Sequence, residues 1–332
     1  MTKTITLAMG NGGVENESLV REVFYGAFGG DILHKSEDAA VIDGGRLAFT
    51  TDSFTVSPLF FAGGDIGKLS ICGTCNDLAM MGAKPKYLSC AVIIEEGFSM
   101  ESLKKIVESM RVELELNGAM VVSGDTKVVP RGSVDKIFIN TTGIGEIQTR
   151  GISANAITTQ DVILVSRDVG CHGAAIFSAR EGIELHSNIK SDCHSLWRQV
   201  EALINAGVNI TAMRDATRGG VSGVLNEWAG QSDVCIEVEE QSVPISSEVS
   251  GICEILGFEA LSLANEGTFV LAVKKEDEAK ALKVLHSFEN SINAAKIADV
   301  TQQYAGRVVL LSPYGTKRFL ERPTGELLPR IC

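Results

Sequence analysis

The chain has 332 residues, 45% hydrophobic and 22% charged, with a formal net charge of -12. This length predicts about two domains, each with its own core, and the acidic balance excludes a phosphate-backbone partner such as nucleic acid. No run of about 18 apolar residues and no basic-then-apolar leader occurs, which argues against helical membrane spans and predicts a cytoplasmic protein. The eight cysteines are too scattered for a disulfide scaffold, so reduced thiols are expected.

Residues 5–13, Ile-Thr-Leu-Ala-Met-Gly-Asn-Gly-Gly, read as a short apolar piece and a glycine-rich loop. Such a loop lets backbone N–H groups approach phosphate, or simply gives a flexible lead-in. A helix is predicted over about 16–28, with Leu19, Val20, Val23, Phe24 and Phe28 on one face. Two strands, 39–42 and 46–50, then flank the tight turn Asp43-Gly44-Gly45. Asp38 precedes the first strand and Asp52 follows the second. Antiparallel pairing therefore brings Asp38 and Asp52 close together.

Residues 64–81 read as one helix, with Ile66, Leu69, Ser70, Gly73, Asp77, Met80 and Met81 near one face and Gly82 and Pro85 as stop signals. Asn76-Asp77 is an unusual mid-helix pair. An acid on a face of small residues is a ligand candidate, unless that turn is simply solvated. Cys72 and Cys75 form a C-x-x-C, but no second pair completes four zinc ligands. Two buried structural cysteines are expected.

A strand is predicted at about 87–94. Ser99 caps a helix running to Asn117, with Leu103, Ile106, Val107, Met110 and Leu114 inward and Gly118 as its end. Residues 119–123 are expected to form a buried strand that runs into Gly124-Asp125-Thr126-Lys127. An acid and a lysine at a strand end suit phosphate and metal chemistry. A strand over 136–145 closes an N-terminal domain expected to span 1–147. That domain would present Asp38, Asp52, Asp77 and Asp125 together. Four such carboxylates repel unless a hard cation such as Mg2+ joins them, with substrate phosphates as further ligands.

Residues 148–160 read as a link, and the second half, 148–320, alternates strand and helix in α/β fashion. Strands are predicted at 162–165, 234–238, 261–264, 268–273 and 308–311, and helices at 194–206 and 276–288. Gly170-Cys171-His172-Gly173 opens another helix, making His172 a candidate base or a helix-end group. Arg214-Asp215-Ala216-Thr217-Arg218-Gly219-Gly220 is a glycine-rich turn into a helix at 221–229. With two arginines, Arg214 and Arg218, before Gly219 and Gly220, it reads as an anion site at a helix N-terminus. It is not a Walker P-loop, because the G-x-x-x-x-G-K-[ST] pattern is absent. Asn265-Glu266-Gly267 interrupts two strands, so Glu266 is either a turn residue or part of a site. Pro323 and Pro329 favour an extended tail over 321–332, which ends on Cys332. A thiol on a mobile chain end is either incidental or a carrier for an acyl-type group.

Seven segments in order carry a family resemblance: Ser-Glu-Asp-Ala-Ala-Val (36–41), Thr-Asp-Ser (51–53), Gly-Thr-Cys-Asn-Asp-Leu-Ala-Met-Met-Gly-Ala-Lys-Pro (73–85), Ser-Gly-Asp-Thr-Lys-Val-Val (123–129), Asp-Ala-Thr-Arg-Gly-Gly-Val (215–221), Ala-Asn-Glu-Gly (264–267) and the terminal Pro-Arg-Ile-Cys. Together they resemble HypE, a family of hydrogenase maturation factors in the PurM/ThiL/SelD ATP-binding superfamily. The resemblance runs along nearly the whole chain. It implies a PurM-like (AIR synthase-like) fold in two domains, α+β and then α/β. The N-terminal sheets would join across a two-fold into the barrel-like core of a homodimer.

The resemblance also implies ATP and Mg2+ at the acid cluster near that interface. Asp38, Asp52, Asp77 and Asp125 would hold the metal, and these four with Asn76, Gly124, Thr126, Lys127, Arg218, Gly219 and Gly220 would hold the nucleotide. A HypF-type carbamoyltransferase would load Cys332, and the chain would dehydrate the thiocarbamate to a thiocyanate while ATP becomes ADP and phosphate. The cyano group would pass to iron on a HypC–HypD complex. Lys127 is expected to polarise oxygen or stabilise phosphate, and Glu266 to act as base, with His172 as second candidate. Met9 and Cys171 depart from the family pattern, which has histidine and aspartate there. Two readings compete. One is another ATP-dependent synthetase or kinase of the superfamily, making selenophosphate or phosphorylating thiamine phosphate, which needs no terminal cysteine. The other is a non-catalytic thiol carrier, which needs no placed aspartates.

Overall fold

The structure is a computed structural model that describes residues 13–19, 21–22, 35, 37–42, 46–181 and 189–322. The glycine-rich lead-in before residue 13, most of the helix expected at 16–28, the turn at 43–45 and the tail from 323 to Cys332 lie outside the described residues. In the N-terminal half the elements are α1 (Val14–Leu19), β1 (Ala40–Ile42), β2 (Leu47–Phe54), β3 (Phe60–Phe61), β4 (Gly64–Asp65), α2 (Ile66–Met80), β5 (Ala83–Glu95), α3 (Met100–Asn117), β6 (Met120–Val129) and β7 (Ile137–Ile147). Five of the strands form one sheet in the order β1-β2-β7-β5-β6.

Strand β2 shows the two-residue period that fixes this sheet's orientation. Ala48, Thr50 and Phe54 point into the core, while Leu47, Phe49, Thr51 and Ser53 are exposed. The register aligns Phe49 with Ile144 and Ile144 with Tyr87, so an open, partly apolar stripe crosses three strands. The opposite face is covered by α2, which is buried on nearly every side. Helix α2 starts on Asp65, whose Oδ1 accepts the N–H groups of Gly67 (2.7 Å) and Lys68 (3.1 Å). It ends before Gly82 in the left-handed region. Gly67 is required by contact, since a Cβ there would lie 2.2 Å from the Ile106 carbonyl oxygen of α3. Cys72 and Cys75 are buried within α2 as structural cysteines.

Helix α3 is capped by Ser99 and terminated by Gly118, as its sequence predicts. Val107 is the exception to the predicted inward face and is 53% exposed. Strand β5 begins at Ala83, earlier than expected, with Pro85 inside it beside a register shift. Strand β6 corrects a larger expectation. Among the described residues it pairs only with β5, as the sheet edge, and is exposed along almost its whole length rather than buried.

The C-terminal half contains β8 (Asp161–Val165), α4 (Cys171–Glu181), α5 (Trp197–Asn205), β9 (Ile210–Asp215), α6 (Gly220–Ser232), β10 (Cys235–Glu239), α7 (Ser247–Leu256), β11 (Phe269–Lys274), α8 (Glu278–Leu285), β12 (Ala295–Thr301), β13 (Arg307–Leu311) and β14 (Lys317–Phe319). Its seven-stranded sheet runs β14-β13-β10-β12-β8-β11-β9, with β10–β13 as the parallel pair and antiparallel pairing elsewhere. Residues 261–264, expected as a strand, instead form part of a 3-10 turn (Ala260–Ser262) and the loop after it. The reading from sequence missed β9, α7, β12 and β14. Both sheet faces are covered. Ile163 and Val165 pack with Trp228 of α6, while Val162 and Leu164 pack with Trp197 of α5. That explains the continuous apolar run of β8. Among the described residues, no helix is long and apolar enough to cross a membrane.

Candidate functional site between the two sheets

A cavity of about 970 Å³ lies where the two halves meet. Three elements of the N-terminal half supply its acids. The β1–β2 register pairs Ala40 with Phe49, which sets Asp38 beside the middle of β2. There Thr50 Oγ1 lies 3.2 Å from the Asp38 carbonyl oxygen and donates to Asp77 Oδ2 at 2.6 Å. Asp77 is reached from α2, one turn after Gly73. A Cβ on Gly73 would meet the Phe54 ring at 2.9 Å and stand 3.9 Å from Asp52 Oδ2. The small residue lets the helix approach β2 closely enough to bring Asp77 and Asp52 to one cavity.

The C-terminal half supplies Arg214 and Asp215 at the end of β9, Arg218 in the following turn, and Glu266. Arg214 Nε lies 2.6 Å from Asp38 Oδ1, and its Nη1 bonds Glu227 of α6. Asp38 Oδ2 is buried and finds no hydrogen-bond partner among the described residues. Glu37 Oε1 accepts the Ala154 N–H at 3.1 Å and the Ser153 hydroxyl, fastening the same segment to the other half. The Glu266 turn is held by Asp192, whose carboxylate accepts N–H groups from Glu266 (3.2 Å) and Gly267 (2.9 Å) and the Thr268 hydroxyl (2.7 Å).

Burial is the largest influence on these acids. It raises Asp77 well above the ordinary range, helped by the charges of Asp52, Asp215 and Asp38 and opposed by the Thr50 hydrogen bond. Burial, with Asp38 and Asp52, also raises Asp215 against Arg214 and Arg218. It raises Glu266 with Asp215, Asp192 and Asp52, against Arg218. Asp38 is pushed up to about 7 by burial, with Arg214 pulling down and Glu37 and Glu227 pushing up. So many acids driven toward neutrality around one cavity mark it as a candidate functional site.

The structure gathers Asp38, Asp52, Asp77, Arg218 and Glu266 around one cavity, and separates the other sequence candidates from it. Asn76 is a structural residue. Its Nδ2 donates to the carbonyls of His194 (3.0 Å) and Glu266 (3.4 Å), and its Oδ1 accepts the Leu196 N–H (2.9 Å). His172 is fully buried, with Nδ1 2.7 Å from Ser191 Oγ and Phe61 edge-on at 5.5 Å, so its ring does not reach the cavity. Burial pushes the neighbouring Cys171 thiol up to about 12, which keeps it unreactive. Gly219 and Gly220 shape the turn rather than line the cavity. A Cβ on Gly220 would come within 2.5 Å of the Leu261 and Leu263 carbonyl oxygens.

Gly124, Asp125, Thr126 and Lys127 sit on the exposed edge strand β6 and do not line this chain's cavity. Asp125 and Lys127 pair with each other at 3.0 Å, and that bond holds the Asp125 carboxyl low. A Cβ on Gly124 would lie 2.4 Å from the Cys90 carbonyl oxygen, so this glycine serves strand packing. Glu227 was not singled out from the sequence, Arg214 was named there only with the anion-binding turn, and Asp215 was not assigned to the acid cluster. Asp215 ends a strand, as an acid of a ligand site often does, but β9 itself was not recognised.

Comparison with known proteins decides the family. The profile of the AIR synthase related protein N-terminal domain matches residues 36–147, and that of the C-terminal domain matches 159–310. The chain is 45% identical to "Carbamoyl dehydratase HypE" of Escherichia coli (strain K12), covering 99% of both proteins. The chain belongs to the HypE family of carbamoyl dehydratases. A solved HypE–HypF complex contains a chain 45% identical to this one, at a TM-score of 0.88, with 92% of this chain and all of that chain covered. A HypE solved in complex with ATP is 43% identical at a TM-score of 0.84, covering 99% and 100%. The expected PurM-like, AIR synthase-like fold and an enzymatic role both hold. The family also sets aside the selenophosphate, thiamine-phosphate and pure carrier readings.

The donor set suits the Mg2+ that HypE chemistry implies: hard carboxylate oxygens, one of them the unpartnered Asp38 Oδ2. Among the described residues, no three acidic, histidine or cysteine side chains are already drawn together tightly enough to hold a metal ion.

Proposed function

We propose that this chain uses ATP to convert a carbamoyl group on Cys332 into a thiocyanate, the source of the cyanide ligands of a NiFe-hydrogenase iron centre. The observation that carries the proposal is the shared cavity. Its lining includes Asp38, Asp52, Asp77, Asp215 and Glu266, and also Arg322, where the described chain ends. Cys332 is the tenth residue after Arg322, and residues 323–332 make the reach. They span up to about 33–36 Å, enough to return the thiol to a cavity whose rim Arg322 already occupies.

The carbamoyl oxygen is a poor leaving group. It becomes a good one when it attacks the terminal phosphorus of ATP, breaking the bond to ADP, while one proton leaves nitrogen. Carbon–oxygen cleavage then releases phosphate with the second nitrogen proton, and the nitrogen lone pair completes the C≡N bond. Glu266 is our assignment for the base. Its carboxyl is buried and raised, so ionisation awaits the cation that accompanies the nucleotide. Asp52, Asp77 and Asp215, with the free oxygen of Asp38, would hold Mg2+. When bound, Mg2+ neutralises the phosphates and the charge that develops during transfer. Arg218 faces the same cavity and suits the transferred phosphoryl.

Asp125 and Lys127 retain a role through a homodimer. The open stripe of Phe49, Ile144 and Tyr87 continues onto Met120 of β6, which pairs with Tyr87, as an apolar surface that none of the described residues covers. A second copy closing this sheet into a barrel would bring its own Asp125 and Lys127 toward the first copy's cavity. We assign 1–147 to the nucleotide and dimer domain, 148–320 to the second domain and 321–332 to the carrier tail. A HypF-type carbamoyltransferase loads the tail, and a HypC–HypD complex accepts the cyano group, all in the cytoplasm.

Mass spectrometry of the C-terminal peptide tests this reading. After a carbamoyl donor system it should carry one carbamoyl group, and after Mg-ATP it should lose one water. A carbamoyl group on any other cysteine, with Cys332 unmodified, would overturn it.

A further inference from the structure

The root of the tail is gripped by α6. After β14, the Leu320 N–H donates to the Val308 carbonyl at 3.0 Å, and the Leu320 side chain is 3% exposed in the core beside Trp228. The Leu320 carbonyl accepts from Asn226 Nδ2 at 3.0 Å, and the next carbonyl, Glu321, accepts from Ser222 Oγ at 3.0 Å. Ser222 and Asn226 are four residues apart, so one face of α6 presents donors to two successive tail carbonyls. On the other side of the tail, Arg322 pairs with Glu17 of α1.

Ser and Asn are poor choices for a helix interior, because their side chains compete for backbone hydrogen bonds. Here the Asn226 amide also bonds the Ser222 carbonyl at 2.9 Å, so one amide serves its own helix and the tail. The residue after Asn226 is Glu227, which takes the Arg214 ion pair at the cavity. Helix α6 therefore touches the acid cluster and the tail through adjacent residues.

We infer that Ser222 and Asn226 are positioning residues that fix the root of the tail at residues 320–321, so that the reach of Cys332 is centred on the acid cavity. This rests on Cys332 being the carrier. A tethered thiol has an effective concentration set by tether length and by the direction in which the tether starts. Freeing the root lengthens the tether and spreads the thiol over more space, while the chemistry of loading by a separate protein is untouched.

The test uses the full-length protein with Ser222→Ala and Asn226→Ala combined, and the conservative pair Ser222→Thr and Asn226→Gln. Three quantities are read: Mg-ATP affinity, single-turnover loss of water from carbamoylated Cys332, and the rate at which a small maleimide alkylates Cys332 with and without Mg-ATP. The alanine pair should bind nucleotide as the parent does and accept the carbamoyl group normally. Its dehydration should slow about tenfold or more, and nucleotide should no longer change the alkylation rate. The conservative pair should recover most of both. A folded alanine pair with parental dehydration and parental nucleotide-dependent alkylation overturns the clamp. If the alanine pair does not fold, charge reversal serves instead: Glu17→Arg and Arg322→Glu should each impair dehydration and together restore it, and failure of the double reversal to restore counts against the clamp. A parent protein that never carries the carbamoyl group on Cys332 removes the underlying reading, an outcome distinct from the others.

Discussion

Arg214 Nε stands 2.6 Å from Asp38 Oδ1, and this buried pair spans the seam between the two sheets. Arg214 enters from β9 and Asp38 from the approach to β1, so the cavity's charge balance depends on both halves being in register. Removing one partner of a buried pair leaves the other charge unpaired and costs about 3–5 kcal/mol. Arg214→Gln should therefore lower the melting temperature far more than Arg218→Gln. Arg218→Gln should instead weaken ATP turnover at nearly unchanged stability. Thermal denaturation beside a phosphate-release assay separates the two, and equal melting temperatures would contradict a structural role for the Arg214 pair.

The ligand-free protein should lose stability as pH rises. Asp38, Asp77, Asp215 and Glu266 all hold their protons more tightly folded than unfolded. For Asp38 the window runs from 3.8 up to about 7. Within it the folded state binds more protons than the unfolded state, so stability falls as pH climbs. Scanning calorimetry between about pH 5 and about pH 8 reads this slope, which Mg-ATP should flatten. Calorimetric titrations in buffers of different ionisation enthalpy should reveal proton release on Mg-ATP binding; a buffer-independent heat would refute it.

Asp77→Asn and Asp215→Asn should each abolish Mg-dependent nucleotide binding and yet raise the melting temperature of the ligand-free protein. Each removes a carboxyl that is ionised in the unfolded chain but held protonated by burial in the folded one, which relieves a cost near neutral pH, a gain on the order of 1 kcal/mol or about 2–4 °C. In Asp77→Asn the new side-chain carbonyl can still accept the Thr50 hydrogen bond, so the fold of that variant is safeguarded. Loss of stability in both variants would argue that these carboxylates serve structure rather than ligand.

Lys127→Ala and Asp215→Asn should complement one another. If Lys127 acts across the dimer, a mixed dimer keeps one intact site, and mixing two inactive homodimers should restore up to about a quarter of the activity at random pairing. Titrating one variant into the other under exchange conditions provides the readout. Mixtures that stay inactive after subunit exchange would place Lys127 in its own chain's site or outside catalysis.

Glu266→Gln should load normally and stall with the carbamoyl group on Cys332, because the amide cannot take the nitrogen proton. Quench-flow mass spectrometry would follow the stalled species, and parental cyanation rates would transfer the base role elsewhere.

The local frame was legible in sequence where one signal dominated. Ser99 and Gly118 marked both ends of α3, and Asp43-Gly44-Gly45 marked the β1–β2 pairing that puts Asp38 beside Thr50. Exposure was less legible. The apolar run of β6 reads like a core strand, because an exposed apolar edge strand and a buried strand have the same composition. The site was half visible. Asp38, Asp52 and Asp77 announced themselves by position, whereas Asp192 and Asn76 act by holding backbone, and nothing in their sequence surroundings predicts which distant carbonyl or N–H they meet. Asp125 was placed with the acids because each ends or interrupts an element, a rule that does not specify which side of a sheet a residue faces.

Asn76 directs its hydrogen bonds to the carbonyls of His194 and Glu266 and to the N–H of Leu196. Every one of those partners is main chain. The joint therefore recognises the path of the opposing backbone and is indifferent to the side chains that happen to ride on it. The asparagine's own contacts would survive a change of side chain at 194, whereas Leu196 is held by the core as well, and a hybrid joining the first half of one relative to the second half of another should still assemble, provided the asparagine, the residue packed at 196 and the opposing loop lengths are kept.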